Sequence, residues 1–334
     1  VDDEQSDSGD LMRGVGVVIP AHRAADTIAA TLDAVAAQTV APAAVVVVLD
    51  GPDAATEAVV RAHPLAPECL VLPRNTGGPG TPRNVGAAHL IDRPALDAFW
   101  FLDADDLPDP RFLEVATGLL RAHPDADLIA TDFRRWHGGE HRPADDRDPT
   151  TSASSIDLDW YLGNTGRILP SFSLVRSRIG DMPRADGRFF DGALPINQDY
   201  DLFVRLLHRG RVVRTDWSGG RYRMHAEGIS ADGPALWLCR MVTNEGLARW
   251  FESRGEPIVA RRFQRAAASA MRTAARHLWR RHADGDRARA LRLLFDDLAV
   301  RPSSKTIAVL LLMPLGLDRR ARRIRPGDAR LSPV

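Results

Sequence analysis

Cysteine is nearly missing from these 334 residues: Cys69 and Cys239 are the whole complement. Two cysteines so far apart build neither a disulfide framework nor a metal-ligand spacing, and a reduced, cytoplasmic compartment is the expectation. Lysine is scarcer still, Lys305 alone, so nearly all of the positive charge is arginine. An excess of one sign of charge is lacking too. Lys plus Arg and Asp plus Glu each number 44, which leaves no net charge to attract a polyanion and argues against a nucleic-acid partner. Long apolar runs are also missing: Ile307 to Leu317 is eleven residues interrupted by Pro314, against the ~20 that cross a bilayer. The opening Val1 to Asp10 is acidic, without the basic and apolar blocks of a signal peptide, and reads as a loose tail. No Gly-x-Gly-x-x-Gly follows the first apolar run, which removes the dinucleotide fingerprint of a dehydrogenase, and no internal repeat is visible.

What the chain does have is a regular alternation in its first third. Val15-Gly16-Val17-Val18-Ile19 reads as a buried strand closed by Pro20, and Thr27 to Gln38 carries Ile28, Leu32 and Val35 at helical spacing, with Asp26 placed to cap it. Ala44 to Leu49 is a second continuous strand, followed by a helix over Ala54 to Ala62. Leu70 to Leu72 and Ala98 to Leu102 are further strands, with a helix over Thr81 to Leu90 between them. Strands apolar on both faces, each followed by a helix, predict a mostly parallel α/β sheet covered on both sides. Pro20, Asp50, Asn75 and Asp103 each follow a strand, so they fall along one edge, where ligands of open α/β sheets collect.

Asp103-Ala104-Asp105-Asp106 is the densest of these signals. Three carboxylates directly behind Ala98 to Leu102 are too costly to bury, so the expectation is exposure at the rim. If strand conformation persists, Asp103 and Asp105 leave the same face. They then offer hard oxygen ligands to a Mg²⁺ or Mn²⁺ ion, which takes one or two carboxylates and completes its shell with water and phosphate. The bland alternative is a polar turn into the next helix, which Asp109-Pro110 already caps.

Arg74-Asn75-Thr76-Gly77-Gly78-Pro79-Gly80-Thr81-Pro82-Arg83-Asn84 is a glycine-rich turn entering a helix, with Thr81 as the expected cap and Pro82 at the first helical position. Glycines such as Gly77 let backbone approach a ligand, and helix N–H groups face an anion. Arg83, a cation in the first turn, opposes the helix dipole and therefore suits a place where an anion sits. Asn197 to Arg209 is a helix whose apolar side holds Leu202, Phe203, Leu206 and Leu207. Asp199 heads that side, where desolvation and the helix start pull its ionisation in opposite directions, as a general base needs; the alternative is an acid complementing the dipole behind an Asn197 cap. His225, after a strand ending at Tyr222, is either a metal or phosphate contact or a structural histidine.

Taken in order, Val18-Ile19-Pro20, Asp50-Gly51, Asn75 through Gly86, Leu102 to Asp106 and Gln198-Asp199-Tyr200-Asp201-Leu202 resemble the motif set of family 2 glycosyltransferases with the GT-A fold, over roughly residues 14 to 230. The resemblance implies a nucleoside-diphosphate sugar donor and a hydroxyl acceptor, which a glycan, a lipid-linked molecule or a small molecule would supply. It puts Pro20 and His22 in the loop touching base and ribose, Asp50 at the base edge, Arg83 on the base or diphosphate, and Asp103 on ribose or metal-bound water. Asp105 becomes the ligand of a divalent cation and Asp199 the catalytic base of an inverting transfer, while His225 falls in a segment like the family's Tyr-Arg-x-His loop. Two positions depart from the family: His22 stands where an aromatic residue is usual, and Gln198 where Glu is usual.

A loop runs from His137 to Asp148, and from about Ala235 to Val300 the chain is helical. The expected organisation is therefore an acidic tail (1–10), a catalytic domain (11–232), a helical region (233–318) and a basic tail (319–334). Ile307 to Met313 followed by Arg319, Arg320, Arg322, Arg323 and Arg325 is either a core helix with a solvated tail or a peripheral contact, over 305–325, with the inner face of a membrane. Two rival functions are a sugar nucleotidylyltransferase, which places its glycine loop after the first strand, and a nucleotide-sugar binding protein without turnover, motivated by Gln198.

Overall fold

The computed structural model describes residues 14–93, 96–137, 153–177, 188–224, 233–281, 283–300 and 302–315. The expectations for the acidic N-terminal tail, for most of the charged stretch after His137, for His225 and for the C-terminal arginines lie outside these residues.

The alternation read from the sequence is present as β1 (Val15–Ala21), α1 (Ile28–Ala36), β2 (Ala44–Leu49), α2 (Ala54–Ala62), β3 (Glu68–Val71), α3 (Gly80–Leu90) and β4 (Ala98–Phe101). After it come β5 (Leu107–Pro108), α4 (Phe112–Ala122), β6 (Ala126–Trp136), β7 (Ser154–Ile156), α5 (Leu158–Gly163), β8 (Ser173–Arg176), α6 (Gln198–Arg209) and β9 (Arg211–Arg223). Four helices close the described chain: α7 (Gly233–Glu252), α8 (Pro257–Arg281), α9 (Asp286–Val300) and α10 (Ser304–Leu312).

The strands form one nine-stranded mixed sheet in the order β3-β2-β1-β4-β8-β6-β9-β5, with β7 also on β9. Its first four strands are all parallel, Ala21 aligning with Leu49 and Leu49 with Val71. Such strands are covered on both faces and need apolar residues at every position, which is why β1 is buried throughout and β4 reads Ala-Phe-Trp-Phe. Beyond β4 the sheet changes character: β8 runs antiparallel to both β4 and β6, and β5 and β7 run antiparallel to β9. Trp100 and Phe112 pack at 4.6 Å between ring centres beneath this change of direction.

Three helix starts differ from expectation, each for a local reason. Asp26 does not cap α1; Thr27 occupies that place without a side-chain cap bond, and Ala24, whose N–H donates to Thr56 Oγ1 at 2.9 Å, carries the entry turn. Helix α3 starts earlier, at Gly80 behind Pro79, so Thr81 lies inside it and aims its hydroxyl at the Gly192 carbonyl, 3.4 Å away. Asp109 holds the Arg111 N–H at 3.0 Å one residue ahead of α4, and Gln38 Oε1 accepts from Leu113 N at 2.9 Å in the first turn. Asp53 does cap α2, accepting from Thr56 N at 3.2 Å.

The chain divides into two compact units. One holds residues up to Ala193 with Leu202–Met224, the other Leu194–Asp201 with the residues from His225 onward, so the division cuts α6 after its first turn. In the helical unit α7 packs on α8, α8 on α9 and α9 on α10, around stacked Phe251 and Phe263 and a second cluster of Met271, Ala275, Leu278, Leu294, Val309 and Met313. Cys69 and Cys239 are free thiols, one in each unit. Among the described residues no helix is long and apolar enough to cross a membrane.

Candidate functional site

The ends of the parallel strands carry a connected set of polar groups. Asp50, directly after β2, is buried and accepts both the N–H and the hydroxyl of Thr76 on one oxygen, at 2.9 and 2.8 Å. Its carbonyl faces His22 Nδ1 at 3.2 Å, and Asn75 Nδ2 meets His22 Nε2 at 3.1 Å. His22, Asn75 and Gly77 are exposed while Pro20 beneath them is buried. Two glycines make this approach possible. A Cβ on Gly51 (φ +97°) would stand 2.7 Å from the Asn75 nitrogen, and Gly77 (φ +88°) closes a turn in which its N–H donates to Asn75 Oδ1 at 2.6 Å. Pro20, His22, Asp50, Asn75 and Gly77 are thus brought together at one edge of the sheet.

Arg83 is 2 % exposed, and its Nη2 donates to Asp103 Oδ1. Its guanidinium lies 5.1 Å from the ring centre of Phe190. The anion that its place in the first helical turn called for is therefore a carboxylate of the same chain. Arg83 is buried against Asp103, which keeps a third of its side-chain surface in solvent. Nε and Nη1 of Arg83 are buried without a partner among the described residues, an energetically costly arrangement for a cation.

The acidic tetrad is a turn and not the continuation of a strand, since β4 ends at Phe101 and Asp106 N donates back to the Asp103 carbonyl at 3.2 Å. Exposure of all three acids was expected, and that expectation fails at Asp106, which is fully buried. Burial, and after it the charges of Asp103 and Asp105, pushes its carboxyl well above the usual carboxylate range, against the pull of the Ser171 hydroxyl and the Arg223 N–H. The group survives there because it holds structure: Oδ1 accepts Arg223 N at 2.9 Å, its carbonyl accepts the Thr31 hydroxyl at 3.1 Å, and Arg223 Nε donates to the Asp105 carbonyl at 2.9 Å. The end of β9 is thereby laced to the acidic turn.

Among the described residues no three His, Cys, Asp or Glu side chains converge into a ready metal cage. The donor set nonetheless fits a hard cation of the magnesium or manganese type. Asp103 and Asp105 are partly exposed carboxylates close enough in charge to raise Asp106, and such ions complete a shell of one or two carboxylates with water and substrate oxygens.

Asp199 belongs to the other unit. It is half-buried in the first turn of α6, with Oδ1 accepting from Tyr200 N at 2.8 Å, and buried Gln198 precedes it with an unpartnered Oε1 among the described residues. Tyr200 locks this turn: its hydroxyl donates to Asn244 Oδ1 at 3.1 Å, and Arg240 lies 3.8 Å over its ring. Burial pushes the Tyr200 phenol upward, so it remains a donor.

Several functional neighbours had no reading from sequence. Thr76 is one, although a hydroxyl beside an Asn-x-Gly turn is a signal that could have found it. Ser171, whose Oγ accepts Asp103 N at 3.1 Å, lies 68 residues from its partner. Phe190 is held by Asn84 through bonds of 2.8 and 3.0 Å across 106 residues. Neither separation leaves a local trace.

A glycosyl transferase family 2 model matches residues 16–179. No curated protein matches the chain. Among solved structures it is similar to residues 1–349 of S. aureus TarS, at 17 % identity and a TM-score of 0.61 over 90 % of this chain and 85 % of that one. It is also similar to the same S. aureus fragment in complex with UDP, at 17 % identity and a TM-score of 0.53 over 93 % of each chain. The fragment with UDP-GlcNAc is similar at 16 % identity and a TM-score of 0.51, over 90 % of this chain and 79 % of that one. These likenesses establish the fold. Residues 16–179, with the motifs of that segment folded onto one sheet edge, are thus a glycosyl transferase family 2 domain.

Proposed function

We propose that this glycosyltransferase moves a sugar from a nucleoside diphosphate to an acceptor hydroxyl in a single inverting displacement. The observation that carries the reading is the one connected edge on which Asp50, Thr76, Asn75 and His22 lie at the strand ends with the Arg83–Asp103 pair. A rim of hydrogen-bonding side chains ending in paired carboxylates suits a ligand with a base and ribose at one end and a diphosphate at the other. In this reading His22 and Asn75 line the base and ribose region, Asp50 fixes the loop that contacts the base, and Arg83 positions Asp103.

Asp103 and Asp105 would hold a divalent cation, which when bound supplies positive charge to the departing diphosphate. Asp199 takes the proton of the acceptor hydroxyl as that oxygen forms its bond to the anomeric carbon. The bond from the anomeric carbon to the diphosphate oxygen breaks, and the nucleoside diphosphate leaves with the electron pair. The uracil nucleotides in the S. aureus TarS complexes make UDP-sugars the first donors to try.

The test is a panel of UDP- and GDP-sugars incubated with the protein and Mn²⁺, read as free nucleoside diphosphate with and without hydroxyl acceptors. Release of nucleoside diphosphate from one donor class is expected. Pyrophosphate release from a nucleoside triphosphate and a sugar phosphate would instead make the protein a nucleotidylyltransferase, and tight donor binding without release under every acceptor would make it a binding protein.

A further inference from the structure

The end of the described chain carries an apolar surface that the transfer reaction does not use. Helix α10 turns one side inward, where Thr306, Val309 and Met313 are buried. Its rotation is fixed by the Thr306 hydroxyl, which donates to Asp297 Oδ2 on α9 at 2.6 Å. The opposite stripe, Ile307 and Leu311 on the helix continued by Leu315 in the turn after it, is therefore outward at 47 %, 65 % and 68 % exposure. Phe295 on α9 and Leu312 are exposed as well, at 59 % and 40 %. A helix apolar on both sides has one side still to cover.

The surrounding sequence says what covers it. Lys305, the only lysine of the chain, stands at the head of α10, and the residues after Leu315 carry six arginines against two aspartates in a protein that is neutral as a whole. A second copy would carry the same arginine-rich sequence directly after the same stripe, and like charges across an interface oppose association. An anionic lipid surface offers both complements: headgroups for the arginines and acyl chains for the leucines. Helix α10 has nine residues, too few to span a bilayer but enough to lie in its interface. We propose that the outward stripe of α10, together with Phe295, is a peripheral docking surface for anionic membranes.

The test is co-sedimentation of the full chain with vesicles of phosphatidylcholine alone and of phosphatidylcholine mixed equally with phosphatidylglycerol. Two variants accompany the wild type: Leu311→Glu/Leu315→Glu, and Arg319→Gln/Arg320→Gln/Arg322→Gln/Arg323→Gln. Binding to the mixed vesicles is expected, weaker by about tenfold or more in either variant, with the arginine variant also losing most of its salt dependence. Because the substituted leucines are exposed, the thermal melt and nucleotide affinity of the variants should match the wild type. Equal recovery of wild type and leucine variant with every vesicle overturns the proposal. So does a wild-type oligomer, seen by light scattering without lipid, that the leucine variant dissociates, since that outcome assigns the stripe to a second copy.

Discussion

Two four-residue acidic stretches, Asp103-Ala104-Asp105-Asp106 and Gln198-Asp199-Tyr200-Asp201, share closely spaced aspartates and differ in almost everything else. The first folds as a turn at the end of a parallel strand, and the second as the opening turn of α6. Each buries its last aspartate, Asp106 or Asp201, and leaves another partly open, Asp105 or Asp199. Their surroundings separate their chemistry. The turn has a buried arginine on Asp103 and carboxylates close enough for Asp103 and Asp105 to help raise the Asp106 carboxyl. At the helix start Asp199 instead accepts the N–H of Tyr200, a neutral partner. Density of carboxylates does not fix their role; the partners do.

That contrast is most sharply broken by one substitution at Asp199 and one at the arginine that holds Asp103. Asp199→Asn should lower transfer by about 10²–10⁴-fold while leaving the dissociation constant of the donor nearly unchanged. Transfer at near wild-type rate would remove Asp199 from the base role. Arg83→Ala strips the turn of its cation. Loss of a charged hydrogen bond of this kind is worth about 1.5–3 kcal/mol, so nucleotide affinity measured by calorimetry should fall about ten- to hundredfold. Unchanged affinity would mean that Asp103 needs no positioning.

Asp106 tests the structural member of the first stretch. Asp106→Ala frees the Arg223 N–H that the carboxyl accepts and should cost about 1–3 kcal/mol of unfolding free energy. Asp106→Asn retains an acceptor, and its effect is read best against pH. Because burial raises the folded-state pKa, the stabilisation by the protonated carboxyl is complete below the unfolded value near 3.8 and is lost as pH rises toward the raised one. The melting temperature of the Asn variant relative to the wild type should therefore climb as pH rises above the unfolded value near 3.8. A flat difference would place the Asp106 proton elsewhere. The smallest effect belongs to the second stretch: Tyr200→Phe removes one hydrogen bond to Asn244 and should cost about 0.5–1.5 kcal/mol in a denaturant titration.

The parallel half of the sheet was legible because its signals are local. Ala44–Leu49 and Ala54–Ala62 fall at the expected boundaries, since a continuous apolar run and a capped amphipathic helix announce themselves within ten residues. The mixed half was not, because β8 is four residues long and its antiparallel pairing with β4 and β6 is decided by contacts distant in sequence. The same division runs through the site. Asp50, Asn75 and Asp103 could be aligned on one edge from topology alone, whereas the burial of Asp106 and of Arg83 depended on Arg223 and Phe190, which arrive more than a hundred residues later.

The most direct measurement of the central claim, that the Asp103–Asp106 turn serves a cation and its diphosphate, is titration calorimetry of UDP into the wild type and into Asp105→Asn, each with Mn²⁺ and with chelator. Mn²⁺ should tighten UDP binding by about tenfold or more in the wild type, equivalent to at least ~1.4 kcal/mol, and by little in the variant. Equal affinity with and without the ion in the wild type, or an undiminished gain in Asp105→Asn, would contradict the account.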